Sequence, residues 1–231
     1  MSIDECGAGA SVAKGRPLVV AIDAGHGGSD PGVVWPPQPQ TPAVHDVEAW
    51  RAYKLAMEEW SPVIVEKRVT MDLAIRLQRA IALSGLNAVG ELTRDGDLDT
   101  SLSARGLLAE KHGADLTISL HVNSSSDPSI RGAIVFWRGG DDVGRRVAHE
   151  VAAAMPLSLR RRVNGGFPTV DHDWTRRARN CLDVYRCPAV LVEVAHATNE
   201  ADRAELAKGE VREAIAGACL AGIREALALA A

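Results

Sequence analysis

Apolar residues along this chain gather into short continuous runs that stop abruptly at glycine or at polar clusters. Val19, Val20, Ala21 and Ile22 form the first run, broken at once by Gly25, Gly27 and Gly28 around His26. A second run from Ala114 to Leu120 closes on His121 and a serine cluster, and a third from Pro188 to Val194 carries Glu193 where the pattern calls for a hydrophobe. Continuous, largely β-branched runs suit strands covered on both faces. Between them the period lengthens. Met71, Leu73, Ala74, Leu77, Ala80 and Ile81 mark an amphipathic helix closed by Ser84-Gly85, followed by a strand near Ala88 to Thr93. Asp97 to Thr100 reads as a turn, Ser101 as the cap of a helix running to about His112, and Gly113 as its stop. Gly132 to Trp137 is a further strand and Asp141 to Ala154 a further helix. This alternation predicts an α/β fold: one domain built on a twisted, mostly parallel sheet of about six strands with helices on both faces. Ligands bind such sheets outside the carboxyl ends of the strands, where His26, His121 and Glu193 fall.

Two stretches depart from the alternation. Residues 30–41 are rich in proline and exclude both helix and central strand, and His45 to Trp60 then gives a loose helical stripe ending before Ser61-Pro62. Together, residues 33–62 form an inserted loop and helix between His26 and Glu66. Its tryptophans Trp35, Trp50 and Trp60 can dock it as a wall of a substrate groove; a lid or a plain packing element are the other readings. From Pro156 to Asn180 periodicity is lost among arginines, which fits either a solvated loop or a segment meeting anionic substrate.

The candidate chemistry lies at the element ends. A glycine-wrapped histidine taken alone is as compatible with an ordinary turn as with a site. The recurrence of His121 and Glu193 at other strand ends, with Glu66 opening a helical pattern, favours a site. A lone carboxylate in a buried strand needs a partner, a metal or a proton to move. Asp171, His172 and Asp173 are metal-capable but crowded and without a supporting strand. His45, His112 and His149 fit solvated positions, and His196, just beyond Glu193, remains a second candidate base.

These segments, in this order, resemble the zinc-dependent N-acetylmuramoyl-L-alanine amidases of the type 3 family. The resemblance rests on Ile22-Asp-Ala-Gly-His26-Gly-Gly, Glu66-Lys-Arg-Val, Ser119-Leu-His121-Val-Asn123 and Leu191-Val-Glu193-Val with Thr198-Asn199, and it is supported by Thr93-Arg94-Asp95 and Ser101 to Arg105. It covers the chain from about Pro17 onward, implying an N-terminal tail over residues 1–16 and a catalytic domain over 17–231. It implies zinc held by His26, Glu66 and His121, with Glu193 as the catalytic carboxylate and peptidoglycan as substrate. The residues themselves leave Glu66 and Glu193 interchangeable, and the resemblance assigns them. The family commonly links its first two blocks by a shorter loop, so residues 33–62 are this chain's own. A zinc hydrolase of another amide and a non-catalytic wall-binding protein are the rival classes.

Composition narrows the partners. A formal net charge of −4 gives no electrostatic footprint for nucleic acid. No stretch is long and apolar enough to span a bilayer, and residues 1–16 lack the basic and apolar regions of a secretory signal. The expectation is synthesis in the cytoplasm and action on the cell wall after release, as in a phage endolysin. Four cysteines without close metal spacing are expected to stay reduced.

Overall fold

The computed structural model describes residues 16–37, 39–42, 46–59, 63–160, 167–168 and 173–230. Its elements run β1 (Leu18–Ala24), β2 (Val34–Trp35), α1 (Val47–Glu59), β3 (Ile64–Val65), α2 (Glu66–Leu83), β4 (Ala88–Leu92), α3 (Leu102–Lys111) and β5 (Leu116–Asn123). They continue as β6 (Ile134–Trp137), α4 (Asp142–Ala154), β7 (Phe167–Pro168), α5 (Asp173–Leu182), β8 (Ala189–His196), α6 (Glu200–Leu206) and α7 (Gly209–Ala230). Six strands form one sheet in the order β4-β1-β5-β8-β6-β7, with β2 and β3 as a separate two-stranded ladder. Trp35–Pro36 is a cis peptide bond.

The pairings β4–β1, β1–β5 and β5–β8 are parallel, as the apolar runs predict. The β8–β6 pairing is antiparallel. Its cause is local, because β5 passes to β6 through a loop with no helix to carry the chain back across the sheet. Side-chain alternation then sorts each strand between two cores. Val20, Ile22, Ile118, Leu120, Val190 and Val192 face a core shared with Leu73 and Leu77 of α2, Val147 and Val151 of α4 and Ile215 and Ile223 of α7. Ala21, Ala189, Leu191 and Phe136 face the opposite core with Ala109 of α3 and Ala178 and Leu182 of α5. Helices thus cover both faces.

Chain direction across the sheet reverses beside β1. The chain leaves β1 through α2 to the edge strand β4, then returns through α3 on the other face to β5 on the far side of β1. Such a reversal opens a crevice at the carboxyl ends of the two central strands.

Helix ends follow the sequence closely. Ser101 caps α3 by accepting from the Ala104 amide, and Asp141 caps α4 through the Gly144 amide. Helix α2 begins at Glu66, where the helical pattern opens. One expectation is corrected: a helix, α5, occupies part of the stretch read as irregular. Helix α5 is arginine-rich and buries little beyond Ala178 and Leu182, too few apolar positions to register as a period. Cys181, Cys187 and Cys219 are free thiols. No helix among the described residues is long and apolar enough to cross a membrane.

Candidate metal centre

Strand alternation places the chemistry. Since Val190, Val192 and Val194 face the α2 core, Glu193 points to the α5 side, and by the same parity so do His121 of β5 and Asp23 of β1. Strand order makes these neighbours, with Ala24 opposite Leu120 and His121 opposite Glu193. His26 lies two residues past the end of β1, and Glu66 is the first residue of α2.

Ligand-type atoms of His26, Glu66 and His121 all lie within 4.8 Å of one another. His26 Nε2 is 3.2 Å from Glu66 Oε2, and His121 Nδ1 is 3.1 Å from Glu66 Oε1. The two imidazoles stand edge to face, with centroids 5.1 Å apart. Glu66 is buried and is aimed by two backbone donors, the amides of Val33 and Val122, each at 2.8 Å. Asp30 Oδ2 lies 2.7 Å from His26 Nδ1, which fixes the outer nitrogen of the ring and leaves Nε2 facing the cluster.

Close packing leaves room for side chains only where they are needed. A Cβ at Gly25 would sit 2.4 Å from the His121 ring, and one at Gly32 would sit 2.5 Å from Glu66 Oε2. His26 itself has φ of 60°, the left-handed region, at a cost of about 1–2 kcal/mol for an L residue.

The electrostatics are those of a strongly coupled cluster. Burial opposes the ionised form of Glu66, but hydrogen bonds from His121 and His26 and their charges hold its carboxyl well below the ordinary range. Burial likewise opposes charge on His26, yet the hydrogen bonds and charges of Glu66 and Asp30 lift its pKa to about 9. His121 is raised for the same reason, chiefly by Glu66 against its own burial. Glu193 moves the other way from Glu66: burial, with the Glu66 charge, outweighs the imidazoles and pushes it up to about 7. Its Oε2 is shut off from solvent with no hydrogen-bond partner. The cluster opens into a cavity of about 1060 Å³, whose lining includes Glu193, Leu191, Phe136, Asn123, Arg177, Asn180 and Cys181.

The remaining sequence candidates separate cleanly. His196 is buried beyond the end of the site, its Nδ1 3.0 Å from the Gly132 carbonyl, and it does not line the cavity. His112 and His149 lie beside Glu91 and Trp137, away from the cluster. His45, Trp60, Asp171 and His172 lie outside the described residues, as does the tail over 1–15. The wall expected of residues 33–62 is not carried by its described part, of which Val33 alone reaches the cavity. Trp35 packs on the core under the Arg203 guanidinium, whereas Trp50 is 40% exposed and meets Tyr53 of its own helix edge to face. Helix α1 spends its tryptophan on itself.

Sequence reasoning missed Asp30 and the buried set Asp23, Arg94 and Arg105. Asp23 carried the same signal as Glu193, a carboxylate inside an apolar strand. It is answered by Arg105 Nη1 at 2.7 Å, Thr93 Oγ1 at 2.6 Å and Ser119 Oγ at 2.7 Å.

The family model described as N-acetylmuramoyl-L-alanine amidase matches residues 20–225. The chain belongs to that family of α/β proteins. Among its relatives, the probable N-acetylmuramoyl-L-alanine amidase AmiB of Haemophilus influenzae is 32% identical over 133 residues, 56% of this chain and 25% of that protein. N-acetylmuramoyl-L-alanine amidase CwlM of Mycobacterium tuberculosis is 29% identical over 214 residues, 89% of this chain and 44% of that one. The chain therefore spans only a quarter to under half the length of these relatives. The catalytic domain of CwlV from Bacillus (Paenibacillus) polymyxa shares the fold, with a TM-score of 0.67 at 23% identity, covering 91% of this chain and 98% of that domain.

Proposed function

We propose that this chain is a zinc-dependent amidase that cuts peptidoglycan between the lactyl carbonyl of N-acetylmuramic acid and L-alanine of the stem peptide. Residues from Pro17 onward form its catalytic domain, His26, Glu66 and His121 hold the metal, and Glu193 is the general base and acid. The observation that carries this reading is the convergence of two imidazoles and a buried carboxylate beside the solvent-shielded, unpartnered oxygen of Glu193. The donor set fits the metal: two nitrogens and one oxygen are of borderline softness and suit zinc better than magnesium or calcium. Asp30 on the outer nitrogen of His26 is the companion such a ligand requires.

A bound zinc supplies Lewis acidity, polarising the scissile carbonyl and lowering the pKa of water beside it to about 7. Glu193 Oε2 takes a proton from the attacking water as its oxygen bonds to the lactyl carbon. Glu193 then returns that proton to the alanine nitrogen as the C–N bond breaks, so the products are a free lactyl carboxylate and a free peptide amine. Its low-dielectric setting, which lifts the carboxyl toward neutrality, suits a group that must both accept and donate near pH 7. Leu191 and Phe136 add apolar surface to the lining of the cavity that Glu193 shares, in keeping with an oxygen shut off from bulk water.

Mass analysis of peptidoglycan digested by the purified protein tests the reading. Intact glycan strands with unmodified lactyl carboxylates and peptides beginning in free L-alanine are expected. Products with a peptide still attached to the sugar, or full zinc content and activity in His121→Ala, would overturn it.

A further inference from the structure

His26 is the sole non-glycine with positive φ among the described residues. A side chain in that region persists only where its surroundings over-determine it. Here the surroundings are two guanidinium groups, each 4% exposed, that together grip three successive carbonyls at the end of β1. Arg105 donates from Nη1 to the Ala24 carbonyl at 2.7 Å, from Nη2 to the His26 carbonyl at 2.7 Å and from Nε to the Thr100 carbonyl at 3.0 Å. Arg94 donates from Nε to the Ala24 carbonyl at 2.9 Å and from Nη2 to the Gly25 carbonyl at 3.3 Å. One carboxylate, Asp23, is hydrogen-bonded to this pair, and it bonds to Arg105. Two buried cations thus share one buried hydrogen-bonded anion and spend most of their other donors on backbone carbonyls, with longer contacts from Arg94 to Thr70 Oγ1 and Met71 Sδ at 3.4 Å each. Burying a guanidinium is costly, and an arrangement that spends it on carbonyls marks those carbonyls as the atoms that must not move.

We propose that Arg105 is the positioning residue for His26: its grip on the His26 carbonyl sets the left-handed turn that aims Nε2 at Glu66 and His121. Asp30 fixes the ring through Nδ1, and Arg105 fixes the backbone behind it. With either constraint alone the imidazole keeps a rotational freedom; with both it has none. A right-handed backbone at His26 would turn the ring out of the cluster. The planar fork of arginine reaches Thr100, Ala24, His26 and Asp23 at once, and a lysine ammonium has no comparable geometry.

The inference uses the metal reading of the cluster for one of its readouts, and a second readout does not depend on it. Arg105→Lys keeps the charge beside Asp23, and thermal unfolding of the metal-free variant establishes that it folds. In metal-free protein the ¹³Cα shift and the amide-to-α coupling of His26 report its φ directly, and both are expected to leave their left-handed values. With metal, zinc affinity by chelator competition is expected to weaken roughly 10- to 100-fold, as for loss of other groups that orient a ligand, and the cobalt(II) absorption spectrum to change. In a His26→Ala background the same Arg105→Lys substitution is expected to cost no further affinity, since its effect passes through His26. Unchanged His26 NMR parameters in a folded Arg105→Lys protein would overturn the proposal, and so would an equal loss of affinity with and without His26. Should Arg105→Lys not fold, Arg105→Gln, which keeps a planar donor, takes its place under the same criteria. A wild type that binds no metal, while Arg105→Lys still shifts the His26 resonances, would refute the zinc reading and leave the positioning role standing.

Discussion

His121 and Glu193 are register partners on the adjacent parallel strands β5 and β8, so their spacing is set by the sheet and not by any loop. A change of charge at one leaves the other's backbone in place. Glu193→Gln is therefore expected to keep the fold and the metal content while losing about 10²- to 10⁴-fold in turnover of a muramoyl peptide. The base works deprotonated, so in the wild type kcat/KM falls as pH falls through the Glu193 pKa. That pKa is about 7 without metal, and a nearby dication draws it down toward the ordinary glutamate value. An acid limb lying between those bounds, and missing from the residual activity of Glu193→Gln, is the expected profile. Near-wild-type turnover in the variant would move the base elsewhere.

Zinc uptake is expected to release protons. In the metal-free protein His26 stays protonated up to about pH 9, because Glu66 and Asp30 outweigh the burial that opposes its charge. A metal can bind only by displacing that proton, so apparent affinity rises with pH until about 9. Calorimetric titrations in two buffers of unlike ionisation enthalpy check this; equal heats would mean that the ring is already neutral.

Acid sensitivity is expected to trace to Asp23. Burial acts to raise its pKa, but the Arg105 charge and hydrogen bonds from Thr93, Arg105 and Ser119 win, leaving it below the ordinary value. A depressed carboxylate contributes stability that is complete above its unfolded pKa of about 3.9 and disappears as pH falls through the folded value. Asp23→Asn strands a buried guanidinium and is expected to cost about 3–5 kcal/mol at pH 7. Urea unfolding at pH 7 and at pH 3 should show the penalty shrinking with acid, and a constant penalty would assign it to packing alone.

Arg177 faces the cavity from α5, one helical turn before Cys181. It is expected to meet a carboxylate of the stem peptide. Arg177→Ala should raise KM for muropeptides with free carboxylates by tenfold or more, the equivalent of a charged hydrogen bond of about 1.5–3 kcal/mol. Amidated muropeptides should be affected little. Equal losses on both would assign α5 a structural part only.

Much of this was legible in the sequence, because strand runs and their terminal residues report directly on an α/β sheet. His26, His121 and Glu193 stand out as polar residues closing or interrupting apolar runs, and Glu66 as a carboxylate opening a helix. What stayed hidden needed three dimensions. The reversed strands β6 and β7 depend on the absence of a crossover helix after β5, which an apolar count does not register. Asp30 sits in a proline-rich stretch with nothing to tie it to His26 until the fold sets them side by side, and nothing in the chain shows that Arg94, just past β4, and Arg105 of α3 end up buried beneath the β1 turn. Trp50 misled in the opposite sense, since an aromatic at helical spacing promised an anchor and the ring packs along its own helix.

The smallest sheet has the widest reach. Val34 and Trp35 pair with Ile64 and Val65, and the Val63 amide donates to the Trp35 carbonyl, so the chain that departs before α1 is clasped to the chain that returns from it. Everything Glu66 needs from this region, the Val33 amide and the start of α2, lies on the near side of that clasp. Closing a longer excursion beyond such a clasp costs only about 0.6 kcal/mol for each doubling of its length. The segment past the clasp is thus a site of evolutionary freedom next to the buried Glu66 carboxylate: it can grow, shrink or acquire a binding module of its own while the cluster behind it is inherited unchanged.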